Sequence, residues 1–328
     1  MRTRLTDLLG IRHPVLLGGM ASGTDARLVA AVSRAGGLGT LGASTLPLEA
    51  IEAEVAMIRE LTPAPFGVNL LLWMATPERV RAVLEQQPSV FSTAWGDPRP
   101  YIEEAHEAGC MVMHMAYDVP SAVAAAKAGV DVIVAQGHEG GGHVGLQSTF
   151  TLVPQIVDAV GDIPVVAAGG VGDGRGLAAA LALGAEGVML GTRFLATSEA
   201  PIPDGWKRAI IDAGGHDTVY SEIGDLAAEA GWPKPAATRA IRNRFLERWL
   251  GREEELRRLG KQIGRGLVDA RRQDDRAEMN LMAGEVSGLI RDLPPAAEVV
   301  ERIVKEAESL LPQLAAKASG KGVPNASR

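Results

Sequence analysis

Val132-Ile133-Val134-Ala135 runs directly into Gln136-Gly137-His138-Glu139-Gly140-Gly141-Gly142-His143-Val144-Gly145, an apolar run of strand length followed by ten residues of which five are glycine and two histidine. Glycine forgoes side-chain packing and costs backbone entropy. A stretch this dense marks backbone that must take positive φ or lie against a ligand. An imidazole at the end of such a loop stands where chemistry is expected.

The same event, a short apolar run ending in small residues, recurs through the first two-thirds of the chain. The runs cover 14–18, 38–41, 66–72, 89–95, 111–115, 131–136, 164–168 and 187–190. Between them lie 25–35, 48–61, 77–87, 100–108, 120–128, 153–160 and 174–183, where apolar residues recur at helical spacing; a last helix is expected over 203–213. Gly36, Gly109, Gly129, Gly161 and Gly184 stand where helices would stop in a left-handed residue. The runs lack polar alternation, as parallel strands buried on both faces do. Eight such units predict an α/β protein with a (β/α)8 TIM barrel. A doubly wound sheet has the same alternation, but the count and the placing of polar residues favour the barrel.

Beyond residue 213 the rhythm changes. Residues 230–235 read as a linker, 238–272 as a charge-dense helical stretch with a solvated face, and 296–311 as a helix with one apolar stripe. The expected division is a barrel over 1–213, a small C-terminal helical cap over 214–285, a helix over 286–316 returning to the barrel, and a disordered tail over 317–328.

A net charge of −7 argues against a nucleic-acid surface, which normally shows clustered excess Lys and Arg. The single cysteine, Cys110, allows no internal disulfide and suits a reducing compartment. No signal-like segment and no apolar stretch of spanning length is evident, so a cytoplasmic protein without a membrane partner is expected, with a homo-oligomer open.

In a barrel of this kind the site lies at the C-terminal strand ends, and phosphate often binds after the seventh and eighth strands. Here those ends carry Gly169-Gly170 and Met189-Leu190-Gly191-Thr192. Bare backbone offers N–H donors there, and Thr192 adds a hydroxyl. Gly19 and Met20 follow the first run, while Asn69 and Gln136 supply amides that both donate and accept, matching the uracil-like edge of a flavin. His143 can serve as base, acid or neutral donor near neutral pH. His114, placed in the barrel mouth by its position at the end of the fifth strand, and His138 are weaker candidates. The remaining histidines read as structural. No metal site is expected: His138 and His143 are five apart in a glycine loop, not four apart on a helix. Residues 172–176 do not make a dinucleotide fingerprint, and no nucleophile elbow or P-loop occurs.

These residues together resemble the nitronate monooxygenase family, FMN-dependent TIM-barrel enzymes. The resemblance rests on Gly18-Gly19-Met20, on 35–39, on Phe66-Gly67-Val68-Asn69, on Gln136 through His143, on Ala168-Gly169-Gly170-Val171, on 179–184 and on 189–196, and covers roughly 8–200 in order. It implies that Gly19, Met20 and Asn69 surround the flavin ring, that Gln136 and Gly141 contact it, and that Gly170, Gly191 and Thr192 hold its phosphate. It puts His143 at the family's active-site histidine and implies oxidation of alkyl nitronates by oxygen to a carbonyl compound and nitrite. Gly18-Gly19-Met20 is similar to the branch of NAD(P)H:quinone reductases, and the Gly-Gly-His loop is shared with FabK-type enoyl-ACP reductases. Met115 and Gly140 depart from the usual pattern. An NAD(P)H-dependent reductase of quinones or an enoyl thioester is therefore the alternative. A non-redox barrel whose phosphate pocket takes a phosphosugar stands further off.

Overall fold

The computed structural model describes residues 1–320. Eight parallel strands form the barrel: β1 (Val15–Leu17), β2 (Gly39–Gly42), β3 (Phe66–Leu71), β4 (Val90–Ala94), β5 (Met111–Ala116), β6 (Val132–Gln136), and, after a short β7 (Gly142–Val144) outside it, β8 (Val165–Ala168) and β9 (Gly187–Leu190). The order β1-β9-β8-β6-β5-β4-β3-β2 is closed by Leu38, which accepts from Leu17 N and donates to Val15 O. Each strand matches an apolar run of the sequence because both of its faces are covered.

Along each strand the side chains alternate between two cores. Leu16, Leu38, Val90, Met113, Val132, Val134, Val166 and Met189 fill the interior. Val15, Leu17, Phe91, Val112, Ile133, Ala167, Val188 and Leu190 face the surrounding helices. The bottom is plugged by an N-terminal helix, Arg4–Leu9, that the apolar periodicity does not reveal, since six residues are too few to display it. Its start is fixed by a reciprocal capping box between Thr3 and Thr6 and its end by left-handed Gly10. Leu5 is fully buried, and a Cβ on Gly187 would come within 2.7 Å of its Cδ2. Gly187 is thus a seat for Leu5.

Two stretches depart from expectation. Within 238–272 the first residues are not helical: Ala237–Ile241 is a strand, β11, buried along its whole length. It pairs antiparallel with β10 (Thr218–Ser221) on one side and with β7 on the other. Tertiary pairing overrides local charge pattern here. The helices Arg244–Trp249 and Glu253–Arg272 follow, so the segment beyond the barrel is mixed, not wholly helical. The helix Ala296–Ala318 returns to the barrel, with Val299, Val300, Ile303, Val304 and Ala307 buried against helices Gly174–Ala182 and Ala26–Arg34. It runs through Lys317 and Ala318, which were expected in a disordered tail, because the alanine-rich end favours helix. The rest of that tail, from 321 onward, lies outside the described residues.

Leu5→Ala should destabilise the protein by about 2–5 kcal/mol, since the plug cannot collapse onto the void. Urea unfolding checks this, and a loss below ~1 kcal/mol would mean that the helix does not seal the barrel.

Candidate active site at the barrel mouth

The upper inward layer of the barrel is polar. Thr40, Asn69 and Ser92 stand on neighbouring strands, and Asn69 Nδ2 donates to Ser92 Oγ over 3.1 Å. Thr40 Oγ1 and Gln136 Oε1 are buried without a partner in the protein. A buried polar atom left unpaired costs about 1–3 kcal/mol, so such atoms mark a place completed by something else. Above them the backbone closes in. A Cβ on Gly19 would lie 2.3 Å from Asn69 Cβ, and one on Gly191 would lie 3.3 Å from Met20 Sδ. Gly19, Met20, Asn69 and Gly191 are therefore brought together. Met189 joins them beneath Gly18. Leu190 turns its side chain outward into the helix layer and offers only backbone.

The ends of β8 and β9 lie side by side through Ala168 and Met189. Gly169 and Gly170 both take left-handed φ, 94° and 75°, a pairing that side chains resist. Among the described residues, the amides of Gly170 and Gly191 donate to no backbone carbonyl or side chain, and the turn beginning at Thr192 has no side-chain cap. Thr192 Oγ1 accepts from Gly284 N at 2.9 Å, which leaves its own hydrogen available. Gly141 is held by that same segment: its Cβ would meet Gly284 N at 2.6 Å. Glu139 pins the loop from below, its carboxylate accepting from Thr149 N and Thr149 Oγ1 at 2.8 and 2.9 Å.

His143 sits on β7, directly paired with Thr238 of β11. Its Nε2 lies 2.8 Å from Asp225 Oδ1 and 3.1 Å from Thr238 Oγ1. Trp232 stacks on the imidazole, with ring centroids 3.4 Å apart and planes 13° from parallel. Trp232 also meets Trp73 and Trp95, which follow β3 and β4, while Tyr117, following β5, stacks on Trp95. Trp95 keeps φ at 51°, a conformation a bulky residue holds only where its surroundings demand it. The β3–β5 side of the mouth is thus an aromatic wall facing the glycines of β8 and β9.

Asp225, Trp232 and Thr238 were not singled out from the sequence. Gly-Trp-Pro at 231–233 reads as linker, and an aspartate 82 residues from its histidine leaves no local signal. Gly284, which meets Thr192 and Gly141, was not singled out either. His138 is structural: its Nδ1 donates to Gly145 O at 2.7 Å and its ring packs edge-on to Tyr220. His114, expected in the mouth, is not there. It falls between the inward residues Met113 and Met115, so it faces the helices, bonded to Thr93 Oγ1 at 2.8 Å. Among the described residues no group of three His, Cys, Asp or Glu side chains could hold a metal, and no helix is long and apolar enough to cross a membrane.

Burial pushes the His114 imidazole from 6.5 down to about 4. Between those values the unfolded chain binds a proton that the folded one does not. Stability is therefore complete above the upper value and falls as pH drops towards the lower one, by up to about 3 kcal/mol. Urea midpoints at pH 7 and 4.5 should separate the wild type from His114→Gln, whose acid slope should be shallower. Equal slopes would clear His114 of the effect.

The sequence model of the nitronate monooxygenase family matches residues 2–78 and 74–306. The chain is 36% identical to a 5-hydroxy-7a-methyl-1-oxo-octahydro-1H-indene-4-carboxyl-CoA dehydrogenase of Mycobacterium tuberculosis, across 94% of this chain and 96% of that protein. It is 33% identical to a probable nitronate monooxygenase of Staphylococcus saprophyticus, across 95% and 99%. The solved structure of FabK from Thermotoga maritima superposes with a TM-score of 0.88 at 35% identity, covering 97% of this chain and 99% of that one.

Proposed function

The chain belongs to the nitronate monooxygenase family and is an oxidoreductase of that type, and from this premise we propose that it binds FMN in the barrel mouth and oxidises alkyl nitronates with oxygen to a carbonyl compound and nitrite. The unpartnered Thr40 Oγ1 and Gln136 Oε1 beneath a glycine-lined mouth are the observation that carries the cofactor reading. Gly170, Gly191 and Thr192 would hold the phosphate through their amides and the Thr192 hydroxyl. Gly19, Met20, Asn69, Gln136 and Gly141 would surround the ring, with Gly169, Met189 and Leu190 completing the backbone floor. Bound there, FMN supplies the electron acceptor and the route to oxygen.

The protein's own groups then have three tasks. The glycines let backbone approach where any side chain would intrude. Trp73, Trp95, Tyr117 and Trp232 cover the mouth and exclude water around the organic substrate. His143 hydrogen-bonds the nitro group of a nitronate, or takes the α-proton when a neutral nitroalkane is offered. Cytoplasmic location fits this chemistry and remains part of the same proposal.

The near-full-length likeness to a protein named for a carboxyl-CoA substrate favours a second reading. In it the same centre works with NAD(P)H on a quinone or an enoyl thioester. Anaerobic mixing of the flavin-loaded protein with propionate 3-nitronate, NADH and NADPH separates the two. Bleaching by the nitronate supports the first reading. Bleaching by a nicotinamide alone overturns it in favour of the second, and a protein that stays colourless after FMN supplementation ends both.

His143→Ala should retain flavin and, with a neutral nitroalkane as substrate, slow the reductive step by roughly 10²–10⁴-fold; unchanged turnover removes His143 from the chemistry. Gly170→Val, which places a branched side chain on a left-handed residue, should lower flavin occupancy at fixed FMN concentration. Full occupancy, read from the absorbance ratio, would move the phosphate elsewhere.

A further inference from the structure

The hydrogen bonds around His143 fix which ring nitrogen carries its hydrogen. An ionised carboxylate can only accept, and a threonine hydroxyl has a single hydrogen to give. The Thr238 hydroxyl donates to Asp225 Oδ2 at 3.1 Å. Towards His143 Nε2 it can then present only a lone pair, 3.1 Å away. The other neighbour of Nε2, Asp225 Oδ1 at 2.8 Å, is also an acceptor. With two acceptors against it, Nε2 must be the N–H, and in the neutral ring Nδ1 holds the free lone pair.

Three further features keep the arrangement in place. His143 and Thr238 are register partners in the β7–β11 ladder, so backbone hydrogen bonds set their separation. Asp225 stands on the helix Ile223–Ala228, whose Ile223 and Ala227 are buried in the core shared with β11. Trp232 lies flat on the imidazole and opposes its flip about the Cβ–Cγ bond. Side-chain exposures of 12% for His143 and 13% for Asp225 keep the pair mostly out of water, where a charge-assisted hydrogen bond is strongest.

We propose that Asp225, braced by Thr238, is a positioning residue that holds His143 as the Nε2–H tautomer and makes Nδ1 the nitrogen that meets the substrate. This rests on the role given to His143 above and adds the group that governs it. When a carbon acid is the substrate, its α-proton passes to Nδ1, and the electron pair of the broken C–H bond stays on the carbon. The carboxylate at Nε2 then faces a cation, and a fixed anion beside a newly formed imidazolium favours that step.

The test reads the tautomer directly. Nitrogen-15 correlation spectra of the flavin-loaded protein, with His143→Ala used to assign the resonance, should show His143 as Nε2–H in the neutral ring. Asp225→Asn keeps the shape but offers an amide that can either donate or accept, so the signal should shift towards a tautomer mixture. Thr238→Val should do so to a smaller degree. With a neutral nitroalkane as substrate, whose α-proton must be removed, Asp225→Asn should lower kcat roughly 10- to 1,000-fold while KM stays within about threefold. Flavin content, near the wild-type value in each variant, reports that the fold is intact. A wild-type Nδ1–H tautomer overturns the proposal, as does an Asp225→Asn spectrum unchanged from wild type. If His143→Ala slows turnover and Asp225→Asn does not, the proposal fails while the function above survives. If His143→Ala turns over normally, the function above loses its base, and the spectra still decide the tautomer.

Discussion

Ala237, Thr238 and Arg239 of one strand pair with Val144, His143 and Gly142 of another, and this short antiparallel ladder ties the part of the chain beyond the barrel to the loop that leaves β6. Without it the half of the glycine-rich loop that carries His143 would lose its backbone pairing, while Glu139 and Thr149 would still hold the half nearer the barrel. With it, His143 acquires a fixed height above the barrel and a fixed set of neighbours. Arg239 reinforces the join from within: its Nε donates to His138 O at 2.9 Å and its Nη1 to Thr218 Oγ1 at 3.1 Å. A charge buried in this way is kept by its hydrogen bonds and by Glu285, 3.1 Å away.

The glycines then do more than permit turns. Gly141 and Gly284 face each other so closely that a Cβ on Gly284 would lie 2.5 Å from Glu139 O, and the Glu285 amide donates to that same carbonyl. The segment before the last helix is thus pressed onto the loop from outside, while Glu139 and Thr149 clamp it from the barrel side. Backbone lies on backbone here, and the distances exclude any larger residue. The mouth is consequently built from parts remote in sequence, each held by main-chain contact.

How much of this could be read in advance follows from the same physics. The barrel was legible because strands buried on both faces are apolar runs, and helices ending at Gly36, Gly109, Gly129 and Gly184 announce themselves by a residue that must turn left-handed. The glycines at the ends of β1, β6, β8 and β9 were legible because their dense placing has no packing explanation. Beyond residue 213 the reading failed where structure is made by pairing. Ala237–Ile241 carries neither alternation nor a helical stripe, and its strand character comes from β7 and β10 on either side. Trp232 looked like part of a linker because its partners Trp73, Trp95 and His143 belong to three other segments of the chain. The plug helix escaped notice for its brevity, and His114 was misplaced by one step of strand alternation.

That last error shows what the barrel demands of its histidines. A residue moved by one position along β5 passes from the mouth to the helix layer, where desolvation keeps His114 neutral and a threonine takes its one hydrogen bond. His143 escapes this constraint because it stands beyond the barrel ladder, on a strand whose partner is supplied by the cap. Its hydrogen bonds and its stacking partner therefore come from residues outside the eight-stranded core. Relatives of nearly the full length of this chain are named for different substrates, a carboxyl-CoA dehydrogenase and a probable nitronate monooxygenase. The neighbours of His143 come from three separate pieces beyond the barrel: the strand that carries Thr238, the helix that carries Asp225 and the turn that carries Trp232.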